Sequence, residues 1–92
     1  MDHNLSDVGA ERAVLSALFQ YGIDAYVEIA DIIGSDSFVN QNNQVLFKCV
    51  EKVIESNSSV DIPSILSAAS QLGHAERVES KEEISYIRSL FD

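Results

Sequence analysis

Apolar residues recur along this 92-residue chain at steps of three and four, and no sustained period-two alternation appears. The pattern predicts helices rather than strands. A first helix is expected from about Asp7 to Tyr21, with Ala10, Val14, Leu15, Leu18 and Phe19 as its apolar stripe. Ser6 and Asp7 stand where a side-chain oxygen would cap the unpaired N–H groups of its first turn. Gly22 supplies the permissive backbone that ends it. A shorter helix is expected from Ala25 to Ile33, with Tyr26, Ile29, Ile32 and Ile33 facing inward and Gly34 as its stop. Ser35-Asp36-Ser37 then reads as a turn, or as the cap of one extra helical turn carrying Phe38.

The longest helix is expected from about Gln41 to Ser56, with Val45, Leu46, Cys49, Val50, Val53 and Ile54 as its stripe and Phe47 flanking it. Asn57-Ser58-Ser59 is a polar break. Asp61 offers a cap to the next helix, whose first turn tolerates Pro63 because an N–H there has no intrahelical acceptor to lose. Ile62, Ile65, Leu66, Ala69 and Leu72 form its stripe, and Gly73 ends it. The charged stretch from His74 to Glu79 is expected to be a loop. Ser80-Lys81-Glu82-Glu83 has the spacing of a capping box. It opens a last helix carrying Ile84, Ile87, Leu90 and Phe91. The predicted class is all-α, a compact orthogonal bundle of about five helices forming one domain over residues 1–92. The apolar stripe is still running at Leu90-Phe91-Asp92, as expected of a piece of a longer chain.

Composition narrows what such a bundle can do. Fifteen Asp and Glu face only six Lys and Arg, a formal net charge of −9. Affinity for nucleic acid comes largely from cations that neutralise phosphates. Here Arg12, Lys48, Lys52, Arg77, Lys81 and Arg88 are few and scattered, so direct, strong nucleic-acid binding is not expected. An acidic surface favours basic protein partners, or serves solubility alone. The single Cys49 allows no intrachain disulfide, and the N-terminus lacks the blocks of a signal peptide. No apolar run approaches the roughly 20 residues that span a bilayer. A cytoplasmic location is expected, and the sequons at Asn4 and Asn57 then carry no glycan.

The search for chemistry is short. No glycine stands in a phosphate-cradling pattern followed by Lys and Ser or Thr. His3 and His74 lie far apart, without a Cys or second His at ligand spacing. Cys49 falls on an inward stripe, where a thiol acts as a small hydrophobe. The carboxylates have local explanations: Asp61 as a cap, Glu82 and Glu83 at a helix start, and Glu51 with Glu55 as a hydrated pair on the outer side of the long helix. The sequence supports no catalytic residue, no cofactor site and no metal site.

The order of the segments says more than any one of them. Residues Ala10-Glu11-Arg12-Ala13-Val14-Leu15-Ser16-Ala17-Leu18 resemble the opening helix of DnaB-type replicative helicase N-terminal domains. Asp36-Ser37-Phe38-Val39 with Asn43, Val45-Leu46-Phe47 and Val53 is similar to a second signature of that family. Val60-Asp61-Ile62 with Ile65, Ala68 and Leu72-Gly73, then Ile84, Tyr86-Ile87 and Leu90, resemble its later helices. The departures are Val8-Gly9 where a Glu is usual, Val39 in place of Tyr, and a loop after His74 without a Gly-Gly step. They point to a divergent member of the kind a phage genome carries.

The resemblance implies a parent that is a ring-shaped hexameric, ATP-driven helicase, with ATP and magnesium bound by a motor domain C-terminal to this one. It also implies that this domain pairs with other helicase subunits and contacts primase. Tyr86, Leu90 and Phe91 are then candidate partner-binding residues, because a continuing chain would pack there, though Leu90 also reads as core. Glu82 and Glu51 are acidic candidates. Two other readings stand beside this one. The helicase-binding domain of a primase resembles the same fold, although Met1 followed at once by the fold speaks against it. The other is a stand-alone acidic protein that mimics DNA or inhibits a basic enzyme.

Overall fold

The structure, a computed structural model, describes residues 8–91. The proposed caps Ser6 and Asp7, the start of the first helix at Asp7, His3 and the Asn4 sequon lie outside the described residues. Among the described residues there are six α-helices, one 3-10 turn and no strand. These are α1 (Val8–Tyr21), α2 (Ile23–Ile29), the 3-10 turn (Ser35–Ser37), α3 (Gln41–Glu55), α4 (Ile62–Gln71), α5 (Ala75–Val78) and α6 (Lys81–Leu90). The all-α prediction holds. None of these helices is long and apolar enough to cross a membrane.

Helix α3 is the axis of the bundle, because its stripe is wide enough to serve several neighbours. Val45, Leu46, Phe47, Cys49, Val50 and Val53 are all buried. They pack against α1, α4, α5 and the 3-10 turn. Phe47, expected to flank the stripe, lies at its centre, fully buried beside Phe38 with ring centroids 5.3 Å apart. Leu15, Leu18 and Phe19 of α1, Ile65, Ala68 and Ala69 of α4, and Ile87 and Leu90 of α6 complete the core.

The helix ends follow the chemistry of their residues. Asn40, Asp61 and Ser80 cap α3, α4 and α6, each accepting from the backbone N–H three positions on. At the far end of α4, Gly73 adopts φ +83°, its N–H reaches Ser70 O and the His74 N–H reaches Ala69 O. This paired closure consumes two carbonyls that the helix leaves open. Asn57, at φ +57°, closes α3 the same way: its N–H reaches Ile54 O and the Ser58 N–H reaches Val53 O.

Three further expectations about the elements fail. The second helix runs from Ile23 to Ile29 rather than from Ala25 to Ile33, and Ile32 lies exposed beyond it. Leu72, assigned to an inward stripe, is also exposed, because it is the residue on which α4 ends. The stretch from His74 to Glu79 is not a loop throughout but contains α5, whose Val78 is fully buried. Only that one side chain anchors α5 in the core, so no stripe was available to mark it.

The most constrained polar contact lies where the chain enters α3. Glu11 of α1 is 2% exposed, yet it carries a carboxylate. Its Oε2 accepts from Val39 N at 3.0 Å, and its Oε1 accepts from Asn43 Nδ2 at 2.8 Å and from Asn40 N at 3.4 Å. Gln44 Nε2 donates to Phe38 O at 2.6 Å, so the loop before α3 is held on both edges. Truncation as Glu11→Ala strands three donors in a closed space. We expect a loss of about 3–5 kcal/mol in urea-unfolding stability. Glu11→Gln keeps one acceptor oxygen and is expected to lose less, about 1–3 kcal/mol. Equal, small losses for both variants would show that the clasp does not hold the fold.

Candidate partner-docking site

The residues singled out in the sequence gather mainly on α6 and the helices beneath it. Ser80 Oγ accepts from Glu83 N at 3.2 Å, which forms one half of the expected capping box. Glu83 does not return the contact. Instead it turns inward, 8% exposed, and its Oε2 accepts from Asn42 Nδ2 at 3.1 Å. Arg77 of α5 donates to Asn42 Oδ1 at 2.9 Å, so one amide joins α3, α5 and α6. Glu82, its neighbour in the first turn, remains exposed.

Tyr86 lies one turn after Glu83, half-buried, with the Arg12 guanidinium 5.6 Å from its ring centroid. Arg12 also donates to Ser89 O at 3.4 Å. Asn40, Asn42, Asn43, Glu83 and Tyr86 line a cavity of about 190 Å³. Two buried polar atoms in this group, Glu83 Oε1 and Tyr86 Oη, have no hydrogen-bond partner among the described residues. The Asn43 amide lies near the Tyr86 hydroxyl, and its Nδ2 donates to Glu11 Oε1. Burial pushes the Glu83 carboxyl above the usual range, against the pull of Asn42 and Arg77. Burial also raises the Tyr86 phenol, with Asn43 and Arg12 opposing and Glu83 and Glu11 adding to the rise.

Leu90 and Phe91 lie at the end of α6 against α1. Leu90 is fully buried, so core packing is the role it has within this chain. Its carbonyl accepts from Ser16 Oγ at 2.9 Å. Phe91 is partly buried, its ring centroid 4.9 Å from that of Phe19. Glu51 lies apart from this group on α3. It is not the hydrated surface charge expected: it is partly buried and its Oε2 accepts from Tyr26 Oη at 3.1 Å. Burial, then Glu51, then Glu55 raise the Tyr26 phenol. The structure thus brings Glu82, Tyr86, Leu90 and Phe91 onto one helix and its end, and leaves Glu51 elsewhere.

Sequence reasoning missed Glu11, Asn42, Asn43 and the inward turn of Glu83. A signal existed. Glu11, Leu15 and Leu18 stand at i, i+4 and i+7, as do Glu83, Ile87 and Leu90. Each acid therefore occupies the first position of a buried stripe. Cys49 is buried, and burial alone pushes its thiol up to about 11. No group of three or more His, Cys, Asp or Glu side chains among the described residues is placed to hold a metal ion.

In comparison with known proteins, the family model described as "DnaB-like helicase N terminal domain" matches residues 3–91. No curated protein and no solved structure matches the chain.

Two measurements follow from this chemistry. Glu83 holds its proton more tightly folded than unfolded, so its contribution to stability is full below the ordinary glutamate value. That contribution is lost as the pH rises through the folded value. Glu83→Gln carries no such loss and should gain on the wild type in urea midpoint between pH 4 and pH 7. Glu82→Gln, at an exposed position of the same helix turn, reports general charge repulsion and the helix-terminus effect without burial, and an identical pH dependence in both variants would refute the burial effect. Alkylation of Cys49 by iodoacetamide in the folded chain should be slower than in urea by about 100-fold or more, since the thiolate is the reactive species. Comparable rates would contradict a closed core at that position.

Proposed function

Because the chain belongs to the DnaB-like helicase N-terminal domain family, we propose that it is a non-catalytic interaction and assembly module of a hexameric replicative helicase. In that role it contacts neighbouring subunits and primase during DNA replication, while ATP binding and hydrolysis belong to a separate motor domain. The observation that carries this reading is the family match across residues 3–91, which favours a helicase domain over the helicase-binding domain of a primase. Two physical features support it. The net charge of −9 disfavours a grip on phosphates, which leaves protein surfaces as the natural partners. The polar ties of α6 to α1 and α3, the latter through an amide that α5 also holds, set Glu82 and Tyr86 on one helix face, and a preset face lowers the entropy lost on docking.

The test mixes the purified chain with the helicase-binding domain of the primase from the same genome and follows sedimentation. A complex is expected at concentrations up to about 100 µM, with Glu82→Lys weakening it, and the chain alone should hydrolyse no ATP above background. Independent sedimentation over that range, or steady ATP turnover by the chain, would overturn the proposal.

A further inference from the structure

Helix α2 is apolar on two sides. Tyr26 and Ile29 pack toward the core, whereas Ile23 and Val27, one turn apart, are 51% and 62% exposed. An apolar pair on the outer side of a surface helix is a place where a partner can pack. Here it is open on its outer side, and Tyr21, at the end of α1 beside it, is 67% exposed. Three of the large exposed hydrophobic residues therefore fall within seven positions of the chain. Scattered singly they would need no explanation, but a cluster marks an interaction surface.

The cluster also borders a groove. Tyr21, Gly22 and Ile23 line one part of a cavity of about 450 Å³, and Ile54 and Val60 line another. Gly22 makes this geometry possible: at φ +60° the chain turns sharply from α1 into α2. The turn swings Ile23 away from the core and onto the rim. The groove is thus built by the backbone rather than left by a missing side chain.

Charge decides what fits it. No Lys, Arg or His occurs from residue 13 to 47 or from residue 53 to 73, the two stretches that supply α2 and every lining residue. The same stretches carry Asp24, Glu28, Asp31, Asp36, Glu55 and Asp61. Asp24, Glu28, Glu55 and Asp61 are exposed, and each directly follows Ile23, Val27, Ile54 or Val60 in the chain. The groove, whose wall also includes the polar Gln20, Asn57, Ser58 and Ser59, is therefore flanked along the chain by one sign of charge. A second copy of this chain would bring the same carboxylates against themselves, which is repulsive. Nucleic acid is excluded for the same reason.

We infer that the α1–α2 corner is a docking groove for a cationic amphipathic segment of a partner protein, with apolar side chains entering between Ile23 and Val60 and Lys or Arg facing the acidic rim. This surface adjoins the end of α6 through Phe19 and Gln20 but lies away from Glu82 and Tyr86, and the inference does not depend on the helicase assembly proposed above. It can therefore stand or fall without that reading.

The test titrates the ¹⁵N-labelled chain with two synthetic helical peptides that share one Leu stripe, one with Lys and one with Glu on the polar face. The Lys peptide is expected to shift the amides of Tyr21, Gly22, Ile23, Val27 and Val60, and the Glu peptide to bind about 10-fold more weakly or less. The double variant Ile23→Asp/Val27→Asp should weaken the Lys peptide by about 10-fold, although it adds two negative charges. Both positions are exposed, and an unchanged circular dichroism melt confirms the fold. Val39→Asp, an exposed valine before α3, serves as the control and should bind as wild type. Binding by the double variant equal to or tighter than wild type would reduce the effect to bulk charge and overturn the inference. Shifts confined to other residues would overturn it too. So would concentration-dependent dimerisation through these amides without peptide, which would make a second copy the occupant.

Discussion

The fold depends on a carboxylate in a place where carboxylates are seldom found. Glu11 lies in the core with three donors around it, two from the backbone entering α3 and one from the Asn43 side chain. A buried carboxylate without partners is strongly unfavourable. Removing the acceptor from these donors is also costly, because each N–H has already given up water. The arrangement is therefore close to all-or-none. It ties α1 to the start of α3, next to the aromatic pair Phe38 and Phe47. The hydrophobic stripes supply most of the favourable free energy, but they are tolerant of sliding, and directional hydrogen bonds are not.

The same device recurs at the other end of the sequence. Glu83 stands at the head of the α6 stripe as Glu11 stands at the head of the α1 stripe. Asn42 and Arg77 bring α3 and α5 to it. Arg12, next to Glu11, reaches Tyr86 and Ser89 on α6. Polar contacts from residues adjacent in sequence thus bind the first helix to both the third and the last, closing a ring of helices whose ends are far apart along the chain. The two sites differ in completeness. Every oxygen of Glu11 is engaged, whereas Glu83 Oε1 and Tyr86 Oη share a small cavity without partners. The first site is a lock, and the second retains polar capacity.

What was legible in the sequence was whatever repeats. The α3 stripe, the caps Asp61 and Ser80 and the closure at Gly73 rest on local rules of spacing and backbone chemistry. The all-α class follows from them. Illegible features depended on single residues or on distant partners. Helix α5 is anchored by Val78 alone, too little for a period to register. Glu51 was read as hydrated because it pairs in spacing with Glu55 on the outer side of its helix, whereas its partner Tyr26 belongs to α2. The inward turn of Glu83 was masked by a capping-box spacing that explained it too readily. A charged residue in phase with an apolar stripe is the sign that should have weighed more than the local motif.

Burial and charge together divide the molecule into parts with different capacities. The chain holds 15 acidic residues, and the structure draws Glu11 and Glu83 into the interior. The remaining excess gives the surface a negative field that repels polyanions and attracts cationic protein segments. Against that field, exposed apolar side chains gain selectivity, because a partner must match both the shape and the charge. The α1–α2 corner has this combination: Gly22 turns Ile23 outward, α2 carries Val27 beside it, and the positions that directly follow in the chain are acidic. Glu11 ties the first turn of α1 to the start of α3, and the same helix carries the corner at its far end. One helix thus serves both the interior and the surface, its buried stripe packing the core while its C-terminal turn presents Tyr21 to a partner.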